Sequence, residues 1–468
     1  MLAALSGFCR STGAARLAAA TAATGLVAAG VLSGAGTAAA DGRPGTQGGA
    51  AATINGLKTY GEAVIHEGGG DQRVSAGLFE MSVDGGGTLQ TYCVDLHNPT
   101  QRDARYEETP WSGTSLGANK DAGRIRWILQ NSYPQVNDLA TLARRAGAGA
   151  LTEQDAAAGT QVAIWRYSDG AKVDAVDPQA EKLADYLEKS ARNLGEPQAS
   201  LTLDPPAVSG RPGDVLGPVT VHTNADAVTV LPPADAASSG VRITDKTGKT
   251  LTSARDGSRV YFDVPESAAD GTAQLTLQAS TTVPVGRAFA SDSRSQTQIL
   301  AGSSESTVSA TATANWAAEG AIPAVSTRED CAAGGVDVIT ANTGDRPFTF
   351  DLLGTEHTVP AGATRTVTVP LQEDQAYDFT ITGPNGFSHH VTGLLDCKTQ
   401  GAVTTEHAPA HNQPSPATVG GSAIPDNTDL AATGGSAITP LIAGLAIGLV
   451  VIGGTVLIIL RNREQQNG

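Results

Sequence analysis

Thr91-Tyr92-Cys93-Val94-Asp95-Leu96-His97 alternates in character, so on an extended strand Val94 and Leu96 face a core while Cys93, Asp95 and His97 share the other face. Farther along, Thr152 and Asp155 have the spacing of a capping box, and the helix they open runs through Ala156, Ala157, Ala158, Gln161, Ala163, Ile164 and Trp165 to a stop at Asp169-Gly170. Gln161, Ile164 and Trp165 fall on one face of it. A glutamine at the centre of an apolar stripe is costly to bury unless its amide is hydrogen-bonded or has reacted. A strand cysteine and a helix glutamine make residues 56–196 a mixed α/β domain.

Both ends of the chain read as processing signals. Arg10 and Arg16 precede an apolar run from Leu17 to Leu32, and Ala38-Ala39-Ala40 supplies small residues before Asp41, so 1–40 is expected to be a signal peptide cut between Ala40 and Asp41. Residues 441–460 are uncharged and mostly apolar, long enough to cross about 30 Å of hydrocarbon, and Arg461 and Arg463 hold the following tail inside. Upstream stands Leu430-Ala431-Ala432-Thr433-Gly434. Pentapeptide, apolar span and basic tail, over 430–468, together resemble the cell-wall sorting signal read by sortases, in its LAXTG form. That resemblance implies cleavage between Thr433 and Gly434, transfer of the Thr433 carboxyl to a peptidoglycan amine, and a membrane insertion that is only transient. A permanent membrane anchor is the alternative.

The composition agrees with an exported, multidomain and mainly β protein. Lys and Arg total 31 against 47 Asp and Glu, a net charge of -16, which repels phosphate backbones and argues against nucleic-acid binding. With 55 Gly and only 4% aromatic residues, small β-domains on connectors fit better than one large enzyme core. Residues 41–55 and the Pro/Ser/Thr-rich 399–429 read as linkers, the second a wall spacer. Between the mixed domain and that spacer, period-two runs such as Val219-Thr220-Val221 and Leu275-Thr276-Leu277 predict a β-sandwich over 197–320. Val336-Asp337-Val338 and Phe348-Thr349-Phe350 open a smaller all-β domain over 321–398, so two Ig-like stalk domains are expected, with Lys246-Thr247-Gly248-Lys249 a hairpin turn.

Of 4 cysteines, Cys9 leaves with the signal peptide, and an odd number then remains in an oxidising compartment. Cys331 and Cys397 bracket the third domain, and a bridge between them would close a loop of roughly 65 residues and contribute about 4 kcal/mol. Cys93 is left over, a liability for an exported chain unless it is buried or chemically committed.

Tyr92-Cys93-Val94-Asp95 with Thr160-Gln161-Val162-Ala163-Ile164-Trp165 resembles the paired motifs of the thioester domains of Gram-positive surface proteins, the TQXA domains, over about residues 56–196. Ile125, Ile128 and Leu129 before Asn131-Ser132-Tyr133-Pro134 also fit that family. The resemblance implies an internal thioester between Cys93 and Gln161, which an amine on a target would open to leave Gln161 in a stable amide. Thr160 belongs to the same motif. Tyr92 and Trp165 are candidates for an apolar wall against water, or simply core aromatics. His97 is a candidate proton acceptor for the amine or a solvated side chain, and Asp95 a residue that orients a backbone amide or His97.

His389 and His390 are adjacent on a strand and point to opposite faces, so no metal is expected, nor any other cofactor. Three function classes remain. The first is a wall-anchored, non-enzymatic adhesin that bonds to an amine-bearing surface ligand. The second is a cysteine hydrolase or transamidase using Cys93 and His97, and the third a passive wall stalk.

Overall fold

The computed structural model describes residues 48–67, 70–384 and 387–398. The Ala40-Asp41 cleavage site, the 399–429 spacer, the pentapeptide 430–434 and the apolar span 441–460 lie outside the described residues. Among the described residues no helix is long and apolar enough to cross a membrane.

Ala51–Glu67 and Gly70–Val83 pair antiparallel along their whole length, with register shifts after Ile54 and Leu57 that let so long a hairpin bend. From there the pairing runs through Thr88–Cys93, Gln298–Ser303, Ala288–Ser291 and Arg105–Thr109 back to Ala51–Glu67, a closed ring of antiparallel strands with Val173–Ala175 attached outside it. Closure removes the exposed edges that a short open sheet would leave. Two expected boundaries shift. Residues 51–55, read as linker, are strand; the strands of 288–303, read as part of the sandwich, complete the first ring instead.

Glu153–Ser168 opens on the Thr152/Asp155 capping box and lies against the long hairpin. Its approach depends on glycine: a Cβ at Gly61 would stand 3.1 Å from the Ala158 Cβ, and one at Gly159 only 2.4 Å from the Ala180 carbonyl of the neighbouring helix Pro178–Ser190.

Residues 201–282 and 305–316 then form two sheets. One orders Arg242–Thr244, Arg259–Asp263, Val215–Thr223 and Leu201–Asp204; the other Ser253–Ala254, Val228–Leu231, Gly271–Thr282, Glu305–Trp316 and Ala207–Gly210. Val219, Val221, Val260 and Phe262 from the first and Leu275, Leu277, Val308 and Ala310 from the second are all buried, as the alternation predicts. This core is continuous with that of the ring. The small unit has its own core of Val336, Val338, Phe348, Phe350, Phe379, Ile381 and neighbours, between a three-stranded and a four-stranded sheet within 323–395. The structure joins Cys331 to Cys397.

The ring and the sandwich are locked by a buried ion pair. Glu108, with no solvent exposure, receives Arg287 Nε at 2.9 Å, the Ser200 N–H at 2.9 Å and the Ala50 N–H at 3.2 Å, while Arg287 also reaches Glu196 and the Pro197 carbonyl. One carboxylate thereby ties the first strand, the fourth strand, the connector into the sandwich and a returning strand.

Candidate functional site

The strand Thr88–Cys93 ends on Cys93, and the site helix brings Gln161 to it. The Cys93 N–H donates to Gln161 Oε1 at 3.1 Å, and Gln161 Nε2 donates back to the Cys93 carbonyl at 2.8 Å. Cys93 Sγ lies 3.4 Å from the same Oε1. Both side chains are fully buried. The burial cost of the glutamine is thus met by reciprocal bonds to one backbone unit, and those bonds fix its carboxamide against the sulfur.

The surroundings are apolar and knitted. Trp165, one helical turn after Gln161, is fully buried, and among the described residues its indole N–H makes no hydrogen bond of ordinary geometry. Tyr92 is likewise buried and donates its hydroxyl to the Tyr133 carbonyl at 2.9 Å. Thr160 Oγ1 stands 2.6 Å from Ser132 Oγ and 2.6 Å from the Ala156 carbonyl, so it braces the helix rather than meeting the sulfur. Burial pushes the Cys93 thiol well above its ordinary pKa; the Trp165 N–H partly offsets this, and the nearby charges of Asp169 and Asp95 push it further up. The sulfur is therefore held as a thiol.

The expected strand face beyond Cys93 does not form. The strand stops there, and Val94, Asp95 and Leu96 are all buried in a turn instead of alternating. Its cause is Asp169, at the end of the site helix, whose Oδ1 accepts the Leu96 N–H at 2.9 Å while Oδ2 accepts Ser168 Oγ at 2.6 Å. His97 consequently points elsewhere, with Nε2 3.2 Å from Glu67. Asp169 is held up at about 7 by burial, against the lowering effect of those two hydrogen bonds.

Sequence reasoning missed two contributors. Asp169 reads as a helix stop, and nothing local shows that its carboxylate turns back to the cysteine loop. Gln298 sits directly across the sheet from Cys93 and accepts Thr91 Oγ1 at 2.9 Å; its only signal is a polar Gln296-Thr297-Gln298 run ahead of an apolar strand. His389 and His390 do not share a site: His390 Nε2 meets Asp378 at 2.8 Å.

No curated protein matches the chain. Residues 323–394 match the family model "Bacterial phospholipase C, C-terminal domain". Among solved structures, the Bacillus anthracis TIE protein is similar at 15% identity over 73% of this chain, with a TM-score of 0.26, and this chain spans 62% of that one. The thioester domain of the Enterococcus faecium TIE86 protein is similar at 18% identity over 57% of this chain and 96% of that domain, also with a TM-score of 0.26. The segment that carries both Cys93 and Gln161, residues 90–193, matches the family model "Thioester domain".

Proposed function

We propose that this chain is a covalent capture protein whose Cys93 and Gln161 form an internal thioester that an amine on another surface opens. The observation that carries this reading is the reciprocal hydrogen bonding of Cys93 and Gln161 with Sγ beside the carboxamide. The thiol adds to the Gln161 carboxamide carbon, oxyanion character on Oε1 is stabilised by the Cys93 N–H, and the thiol proton leaves with the amide nitrogen as ammonia. The carbon–sulfur bond replaces the carbon–nitrogen bond, so no oxidant is needed. A primary amine later adds to the same carbon; the new amide forms, and sulfur leaves as the Cys93 thiol. Each molecule reacts once.

Tyr92 and Trp165 support the reading by excluding water, and Asp169 by fixing the turn after Cys93. A net charge of -16 favours lysine-rich targets at low salt. In the fuller reading the chain is an exported adhesin: signal peptidase cuts after Ala40, a sortase joins Thr433 to peptidoglycan, and the β units form the stalk. A hydrolase has less support, since His97 is engaged with Glu67 and not with the sulfur.

The test is the intact mass of the 41–433 chain. It should be lighter by one ammonia than its sequence after allowing for the disulfide, and Cys93→Ala or Gln161→Ala should each restore that mass. Methylamine should add once, on Gln161. A full-mass wild type with a freely alkylated Cys93, or repeated turnover of an amine probe, would overturn the proposal.

A further inference from the structure

The small β unit reaches the loop that follows Cys93. The Val94 N–H donates to the Thr297 carbonyl at 3.1 Å, and the Gln101 N–H donates to Ser295 Oγ at 2.8 Å, so residues 295–298 back both ends of the loop 94–101. Thr297 then turns its hydroxyl away from the loop and donates to Asp396 Oδ2 at 3.0 Å, both side chains being buried. Asp396 precedes Cys397, whose N–H is taken by Glu373 Oε1 at 2.8 Å and whose sulfur is bonded to Cys331. The Cys331 N–H in turn donates to the Ser112 carbonyl at 3.0 Å, back on the first unit.

Cys93, Gln161 and Leu96 have no solvent exposure, so any nucleophile reaches the Gln161 carbonyl only after a local opening. The 94–101 loop follows Cys93 directly and is held by single hydrogen bonds at Val94, Leu96 and Gln101 rather than by strand pairing, so it can release without unfolding the helix.

We propose that Thr297 and Asp396 are positioning residues that latch this loop shut, so that the disulfide-closed β unit sets how often water or an amine reaches the Cys93–Gln161 bond. The inference rests on the thioester reading above. In it the small unit is a working part of the site rather than a spacer. Asp396 is held up at about 7 by burial and by the neighbouring charge of Asp95, with the Thr297 hydroxyl acting the other way. What Thr297 takes from it is an acceptor oxygen, which an asparagine also offers.

The experiment follows two rates on the 41–433 chain by intact mass, spontaneous hydrolysis of the thioester and methylamine incorporation. Thr297→Val, which is nearly isosteric, and Asp396→Ala should each speed both rates about fivefold, the worth of one ordinary hydrogen bond, and by the same factor because both report opening. Asp396→Asn should stay close to wild type. The double variant Thr297→Val/Asp396→Ala should be no faster than either single change, because the two residues share one bond. Cutting the bridge with a phosphine, chosen because thiols would open the thioester by exchange, should accelerate both rates at least as much. Unchanged rates in both Thr297→Val and Asp396→Ala would overturn the latch, as would an Asp396→Asn rate equal to that of Asp396→Ala. A wild type lacking the ammonia deficit would strike at the thioester reading itself.

Discussion

Two carboxylates in this protein have opposite surroundings. Glu108 is enclosed with Arg287 and three further donors, so its charge is compensated where four segments meet. Asp169 is partly buried beside the candidate site, and among the described residues it accepts from a backbone N–H and a hydroxyl, with no cation. The first arrangement holds the ring and the sandwich together. The second leaves an acid whose pKa rises to about 7, next to a sulfur whose own pKa burial has raised. Asp396 and Glu329 repeat that pattern where the small unit meets the ring. The compensated charge at Glu108 belongs to the scaffold, and the acid without a cation at Asp169 lies next to the proposed chemistry.

That contrast can be broken most sharply at the scaffold. Arg287→Met strands the Glu108 charge and should cost about 3–5 kcal/mol, read as a lower midpoint in guanidinium unfolding, whereas Glu108→Gln/Arg287→Met together should cost much less. Opening the Cys331–Cys397 bridge, whose cysteines are 66 positions apart, should cost about 4 kcal/mol, confined to the small unit, and calorimetry should show only its transition moving.

The uncompensated acid predicts a pH dependence of definite sign. Asp169 titrates near 3.8 in the unfolded chain and at about 7 in the fold, so between those values the folded state binds the extra proton and stability falls as pH rises. Replacing it by asparagine should remove about 1.4 kcal/mol per pH unit from the slope across that window, measured against wild type by urea unfolding at several pH values. An unchanged slope would mean that Asp169 is already ionised in the fold. The smallest effect belongs to His97, paired with Glu67 on partly exposed ground. His97→Ala should cost no more than about 1 kcal/mol. It should also leave methylamine incorporation nearly unchanged, and a large loss would return His97 to the chemistry.

How much of this was legible in the sequence depended on range. The capping box at Thr152 and Asp155, the apolar face that carries Gln161 and Trp165, and the alternating sandwich strands such as Val219 to Val221 are local patterns, and the structure forms those elements. The closing strands 288–303 were misplaced because nothing in their own pattern says whether they pair with the preceding strands or with strands some two hundred positions back. The face of His97 was misjudged for a similar reason: period two holds only while a strand lasts, and a carboxylate from Asp169 ends this one at Cys93. Cys93 and Gln161 stood out because each residue type is out of place where it sits.

The Cys331–Cys397 bridge also has a mechanical meaning. Tension applied anywhere beyond residue 397 enters at Cys397 and crosses the two sulfurs to Cys331, so the strands from Gly335–Asn342 to Ser388–Leu395 lie outside the load path and stay slack. Asp396 is inside that sheltered loop. Without the bridge, the same pull would peel Leu395 and Asp396 first, and the contact with Thr297 would be among the earliest to break. A covalent short circuit placed one residue after Asp396 keeps a pull from beyond residue 397 off the contact between Asp396 and Thr297.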